Sequence, residues 1–294
     1  MTGSGHKTRE PAVVDERIAG PHGPVPVRIY PAADDAPAPG LVWLHGGGFV
    51  HGDLDMPEAD WVARQLAARG IGVVSVDYRL VGDPDGVHFP VPSDDVLAAF
   101  FWTLANTDRL GLDPAMIALG GASAGGALAA ATALRLRDAG GPVPSRVLLA
   151  YPTVHAVLPE PSAELAAKIA RLPAEALFTP AQVDEMNLGY AGDPATLADP
   201  YAFPGGHDLV GLPPTLILNS DHDSLRSSGE AYAAELRAAG VDIHCLYEDG
   251  TRHGHLNQPD QPAAAHSIER MATWLLNASD TTSPRIPSST KEAS

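Results

Sequence analysis

The chain has 294 residues, 45% of them hydrophobic and 19% charged, which is the balance of a folded globular protein and excludes a disordered one. Its formal charge of -17, from 19 Lys and Arg against 36 Asp and Glu, repels phosphate backbones and anionic lipid heads, so neither nucleic acid nor a membrane surface is expected as a partner. With Cys245 as the single cysteine there is no internal disulfide.

A domain of this size buries roughly three quarters of the surface of its unfolded chain, so it needs no metal or disulfide to hold it. The first residues, MTGSGHKTRE, lack the apolar core of a signal peptide. No apolar run approaches the roughly 20 residues that span a bilayer. These features lead to the expectation of a soluble, cytoplasmic protein.

In chain order, the pattern opens with an antiparallel hairpin around Glu16 to Tyr30, turning at His22-Gly23, with Val25 to Tyr30 as its second strand. Strand patterns follow at Leu41 to Leu44, Ile71 to Val76, Met116 to Leu119, Arg146 to Tyr151, Thr215 to Asn219 and Ile243 to Tyr247. They are nearly continuous runs of Val, Ile and Leu, as strands covered on both faces should be. Helical patterns lie between them at Ala59 to Ala68, Val96 to Thr107, Gly125 to Arg137, Ser227 to Ala239 and Pro262 to Leu276. Gly70, Gly111, Gly140 and Gly240 stand just past helix ends, where a left-handed cap favours glycine. This alternation predicts an α/β fold, a mostly parallel sheet with helices on both faces. The run around Cys245 reads as a buried strand in which the thiol is a packing group.

Residues 155–205 break the rhythm with short helical pieces, Ala163 to Arg171 and Pro180 to Tyr190, and no strand pattern. Such an insertion sits where an α/β sheet places its ligand crevice and reads as a small helical cap. Residues 1–277 thus form one domain carrying this cap, and the Ser/Thr/Pro-rich residues 278–294 read as a disordered tail.

The strongest local signal is Gly121-Ala122-Ser123-Ala124-Gly125. A G-x-S-x-G arises by chance in about one chain in ten of this length, so the pentapeptide alone is weak. Its context is stronger: a strand pattern runs in and an Ala-rich helix runs out, the setting of a nucleophile elbow. Upstream, His45-Gly46-Gly47-Gly48-Phe49 follows a strand directly. Ester cleavage builds an oxyanion that needs backbone N–H groups fixed in advance, and consecutive glycines let amides point into a site. No P-loop lysine follows the glycines, which excludes a phosphate cradle of that type.

A nucleophilic serine needs a base, and the base an orienting acid, in the chain order Ser, Asp or Glu, His. Two strand-end loops supply them, and each offers a choice: Asp221 or Asp223, and His253 or His255. A metal reading uses the same residues, Asp221-His222-Asp223 with His253-x-His255, but leaves both glycine motifs unexplained. His88 and His155 are further candidates for the pocket wall.

Taken together, His45-Gly46-Gly47-Gly48-Phe49, Asp77-Tyr78-Arg79-Leu80, Gly121-Ala122-Ser123-Ala124-Gly125-Gly126, Asp223-Ser224-Leu225 and His253-Gly254-His255 occur in the order seen in one family. Over about residues 40–275 the chain resembles the bacterial hormone-sensitive-lipase group of carboxylesterases. The resemblance implies the α/β-hydrolase fold and a triad of Ser123, Asp223 and His253. It also implies an oxyanion hole from the amides of Gly46, Gly47, Gly48 and Ala124, with no cofactor and no metal. The implied reaction is hydrolysis of short- to medium-chain carboxylic esters through an acyl-enzyme. Amide, formamide or lactone cleavage and acetyl-ester deacetylation use the same groups, and a non-catalytic binding member of the fold is the remaining alternative. The implied partner is a small-molecule ester; a homodimer is compatible with this reading.

The chain departs from the family pattern at Val81-Gly82-Asp83, where A-P-E is usual, at Ala122, where an acid is common, and at His255, where Phe is usual. The N-terminal cap is also short. The expected pocket walls are Phe49, Leu177, Phe178, Met186, Tyr190 and His255, with Leu188 nearby.

Overall fold

A computed structural model describes residues 12–33, 37–82 and 86–277. The segment assigned above to a tail, the opening ten residues and Asp83 lie outside the described residues. Eight strands form one sheet: β1 (Val14–Ile18), β2 (Val25–Tyr30), β3 (Ala38–Leu44), β4 (Gly72–Val76), β5 (Leu112–Ala122), β6 (Val147–Ala150), β7 (Thr215–His222) and β8 (Ile243–Arg252). Their spatial order is β1-β2-β4-β3-β5-β6-β7-β8. β1 and β2 are antiparallel, as are β2 and β4; every other pair is parallel. The hairpin expected around Glu16 to Tyr30 is β1-β2, and it forms one edge of the sheet.

Alternation along the strands divides the core into two layers. In β3, Leu41 and Trp43 face α1 (Asp60–Ala67) and α8 (Pro262–Leu276), meeting Val62, Leu66, Ile268 and Met271. Val42 and Leu44 face the other way, toward α2 (Val91–Ala105), α4 (Ala124–Asp138) and α7 (Arg226–Ala238), meeting Val96, Phe100, Leu128 and Leu236. Both faces are covered, which is why the strands carry apolar residues at consecutive positions. Each fully buried Leu, Ile or Val side chain contributes about 1.5–3 kcal/mol relative to exposure. The four glycines past the helix ends all have positive φ.

The structure departs from the sequence expectation in several places, β3, β5, β7 and β8 each running beyond the expected strand. α2 begins at Val91, ahead of Val96, because Pro92 in its first turn lacks an N–H that would be unpaired there in any case. The turn α3 (Thr107–Leu110) is separate, divided from α2 at Asn106, whose side-chain amide donates to the Trp102 carbonyl at 2.8 Å. β8 is not the buried strand expected around Cys245. It is the far edge of the sheet, so Leu246 and Tyr247 are exposed and Cys245 is only half covered.

Between β6 and β7 the chain carries α5 (Ala163–Ile169), α6 (Pro180–Ala191) and two short 3-10 turns, with no strand. α6 is held by a capping box between Thr179 and Gln182, and buried Asn187 donates its amide to the carbonyls of His155 and Ala156. α5 is pinned at its end, where Lys168 pairs with Asp221 and Glu164.

The strand order reverses direction between β3 and β5, which are neighbours in register, Leu44 beside Gly121. The loops leaving their carboxyl ends are the two glycine motifs. In an α/β sheet this reversal opens the crevice in which ligands bind.

Candidate active site

Ser123 is the hinge between β5 and α4, with φ 52° and ψ -117°, a conformation that side chains other than glycine rarely adopt. Such strain is tolerated only where the surroundings fix it. Here Ser123 donates its N–H to the Ala150 carbonyl at 2.8 Å, and its neighbours leave no slack. A Cβ on Gly125 would stand 2.3 Å from the His45 carbonyl oxygen, and one on Gly121 would stand 2.4 Å from the Gly125 backbone. The two outer glycines of the pentapeptide are thus required by backbone contact. Ala122 and Ala124 are fully buried, so an acidic residue at 122 would enter a packed layer.

His253 follows β8 and Asp223 follows β7. The Ser123 Oγ lies 2.9 Å from His253 Nε2, and His253 Nδ1 lies 2.7 Å from Asp223 Oδ2. The second carboxylate oxygen of Asp223 accepts the Leu225 N–H at 2.9 Å. Asp223 is 1% exposed, so its charge acts on the imidazole without water between them. Burial disfavours the protonated imidazole, but the Asp223 carboxylate and, more weakly, Glu58 outweigh it, so the pKa of His253 lies above the ordinary imidazole value.

The rival residues from the sequence face elsewhere. Asp221 accepts from Lys168, Arg226 and the Gly250 N–H. His255 is 3% exposed and held between the hydroxyls of Ser220 and Ser267, each at 2.8 Å. Burial, with repulsion from His253, pushes its pKa down to about 4. Asp221, Asp223, His253 and His255 do not converge, and among the described residues no group of three or more His, Cys, Asp or Glu is placed to share a metal ion.

In the glycine loop, the N–H groups of Gly47, Gly48 and Ala124 have no partner among the described residues. Gly46 differs. Its N–H donates to the Glu58 carboxylate at 2.6 Å, so it is committed and does not belong with the free donors expected from the motif. Gly47 has φ 113° and could carry no Cβ, which would fall 2.0 Å from the His51 carbonyl oxygen. The loop is braced from below by Tyr78, which stacks on the His45 ring at 4.4 Å and donates its hydroxyl to the His45 carbonyl. Arg79 fastens the same stretch by pairing with buried Asp95 and the His22 carbonyl. The Asp77-Tyr78-Arg79-Leu80 motif is therefore a support of the loop.

A cleft of about 610 Å³ opens over Ser123. Of the expected walls, Phe178 and Met186 line it, and the Phe178 ring meets His253 edge-on at 4.9 Å. Phe49 and Tyr190 do not line it; they stack on each other at 4.1 Å in the core, holding α6 against the glycine loop. Leu177 and His255 are also off the surface of the cleft, Leu177 beside the wall and His255 buried behind it, and Leu188 is exposed on the outer face of α6. His88 instead meets α6 at the Gly189 carbonyl, and His155 is tied to α7 through Ser228 and Glu235. Sequence reasoning missed Glu58, His51, Met56, Leu225 and Asn257, which also line the cleft. The signal available for most of them was position, since they flank the motif loops; for Glu58 there was none, because an isolated Glu reads as a surface residue.

Residues 41–257 match the family described as alpha/beta hydrolase fold. The chain is 38% identical over 273 residues to carboxylesterase NlhH of Mycobacterium tuberculosis, spanning 90% of this chain and 82% of that protein. It is 33% identical over 237 residues to ethyl acetate hydrolase of Pseudomonas putida, spanning 78% and 70%. Among solved structures, an esterase of Pyrobaculum calidifontis superposes with a TM-score of 0.81 at 34% identity, covering 92% of this chain and 86% of that one. On this site geometry and these relatives, the chain belongs to the hormone-sensitive-lipase-like esterases of the α/β-hydrolase fold and is a carboxylic ester hydrolase.

Proposed function

We propose that the enzyme hydrolyses short- to medium-chain carboxylic esters, with Ser123 as nucleophile, His253 as general base and acid, Asp223 as its orienting carboxylate, and the amides of Gly47, Gly48 and Ala124 as the oxyanion hole. The observation that carries this reading is the unbroken hydrogen-bonded chain from Ser123 through His253 to Asp223, set beside three amides with no partner among the described residues.

The chemistry follows from those contacts. As the Ser123 Oγ bonds to the ester carbonyl carbon, its proton passes to His253 Nε2, and the imidazolium is stabilised by Asp223. The carbonyl oxygen takes up negative charge facing the free amides, where each donor contributes about 3 kcal/mol. The bond to the alcohol oxygen breaks, and that oxygen leaves with the proton from Nε2. Water then attacks the acyl-enzyme, gives its proton to Nε2, and the Ser123 Oγ leaves carrying that proton.

A preference for shorter acyl groups is supported by the walls that Met56, Phe178, Met186 and Leu225 set around Ser123. A relative's name, ethyl acetate hydrolase, points the same way. Residues 155–205 act as the cap on this cleft, and a cytoplasmic setting agrees with the lone cysteine. The test is a series of p-nitrophenyl esters from acetyl to dodecanoyl, with a p-nitroanilide as control. A kcat/KM that peaks at or below the octanoyl ester supports the proposal. A maximum at dodecanoyl, or faster cleavage of the anilide than of its matched ester, refutes it.

A further inference from the structure

Glu58 is 2% exposed and stands two residues ahead of α1, at the wall of the cleft. One oxygen of its carboxylate accepts the Gly46 N–H at 2.6 Å, and the other accepts the Tyr151 hydroxyl at 2.7 Å. Its backbone is fixed as well: its carbonyl accepts the Trp43 indole N–H at 2.7 Å, and its N–H donates to the Asn257 side-chain oxygen at 3.1 Å. The four bonds join the glycine loop, the end of β6 and the loop that carries His253. Tyr151, held by this carboxylate, presents its ring to the His253 ring at 5.0 Å.

Among the described residues no Lys or Arg pairs with Glu58; the groups on its side chain are an amide and a phenol. Burying a carboxylate without a cation costs several kcal/mol, and a neutral side chain of the same shape would avoid that cost. The electrostatic return is at His253. The charged and titratable groups packed around that imidazole are Asp223, Glu58, Tyr151 and His255. Burial and the nearby Glu58 push the Tyr151 phenol up, so it stays neutral, and His255 stays neutral because burial pushes it down. The charges that remain are two carboxylates, Asp223 in contact and Glu58 beyond Tyr151. The cation that both can stabilise is the imidazolium formed during the reaction.

We infer that Glu58 is a positioning residue for catalysis, one buried carboxylate that shapes the glycine loop through Gly46 and braces the general base through Tyr151. Gly46 is spent as its anchor, and that anchor turns the next two amides toward the nucleophile. A Cβ on Gly46 would stand 2.5 Å from this carboxylate and 3.1 Å from the Ser123 Cβ, so Glu58 and Ser123 flank the same residue. The inference rests on the triad reading above.

The test uses the full chain with p-nitrophenyl butyrate, kcat and KM followed from about pH 5 to 9. Active sites are counted with a fluorophosphonate so that misfolded protein does not enter the rate. Glu58→Gln is expected to lower kcat by about 10- to 100-fold with KM within about twofold, since it disturbs groups that act in the transition state. Loss of the charge also destabilises the imidazolium, so the acid limb of kcat/KM is expected to move to lower pH. Glu58→Asp keeps the charge but shortens the reach to Gly46, so it lowers kcat while leaving the acid limb near that of the wild type. A Glu58→Gln enzyme with wild-type kcat overturns the inference. So does a rate loss in which the acid limb stays in place, because a merely structural role would give that result. Should Glu58→Gln not fold, Tyr151→Phe carries the test: it must lower kcat at constant KM, and an unchanged kcat overturns the inference. Activity that survives in Ser123→Ala would sink the triad reading itself, a result distinct from every Glu58 outcome.

Discussion

The Oγ of Ser123 and the Nε2 of His253 are 2.9 Å apart, although 130 residues separate them along the chain. The contact exists because β5 and β8 are parallel members of one sheet, and both residues leave the same, carboxyl-terminal edge. A hydroxyl at that distance from an imidazole nitrogen is within reach of proton transfer.

Replacing Ser123 with Ala is expected to lower kcat by a factor on the order of 10⁶, and Asp223→Asn by about 10⁴, because the wrong imidazole tautomer then faces the serine. Single-turnover kinetics with p-nitrophenyl acetate check both, and a Ser123→Ala enzyme within tenfold of wild type would refute the assignment.

Asp221 separates from Asp223 in a different way. Its carboxylate pairs with Lys168 and with the buried Arg226, so Asp221→Asn removes one of three carboxylates around Arg226 and leaves Glu164 and Glu230 in place. Expected are a stability loss of about 2 kcal/mol in urea unfolding, the size of a lost hydrogen bond to a charged group, and a kcat within about threefold of wild type. A large kcat loss at full stability would show that the two aspartates had been assigned to the wrong roles.

The acid limb of kcat/KM reports His253 in the free enzyme, since only the neutral imidazole can take the serine proton. Its pKa is raised because Asp223 and Glu58 outweigh the effect of burial. Activity should therefore fall, as pH drops, with an apparent pKa above the ordinary value of 6.5. An apparent pKa below that value would contradict the pairing with a buried carboxylate.

His255 has its pKa shifted in the opposite direction to that of His253, and the consequence is for stability. Its folded pKa is about 4 and its ordinary value 6.5, so between them the unfolded chain binds a proton that the native state refuses. Stability is fully present above pH 6.5 and declines as pH falls toward 4, by about 3 kcal/mol from this residue. His255→Phe, which restores the residue usual in the family, removes that proton uptake. Urea midpoints measured across this range should vary less in the variant; an identical slope would show that His255 is not held neutral.

Gly125 tests the elbow itself. Gly125→Ala places a methyl group 2.3 Å from the His45 carbonyl oxygen and 2.5 Å from that of Leu44, neither of which can yield without moving β3. Destabilisation of at least about 2 kcal/mol is expected, together with loss of activity, because the same shift displaces the glycine loop. Differential scanning calorimetry and ester turnover measured on one preparation check the two effects together.

What the sequence determined by itself was local: the periodicities that place strands and helices, the glycines that permit close backbone contact, and the elbow motif around Ser123. These signals survive in one dimension because they arise from neighbours within a few residues. The choices between Asp221 and Asp223 and between His253 and His255 stayed open until the family resemblance was considered. The tertiary structure decided everything that depends on which strand lies beside which. It turned Asp221 to a pair of cations, buried His255 behind the site, sent Phe49 and Tyr190 into the core and made β8 an exposed edge. It also brought Glu58 against Gly46 and Tyr151, a contact with no trace in the sequence. A carboxylate's role is set by the donors that surround it, and those donors arrive from segments that only the folded sheet brings together.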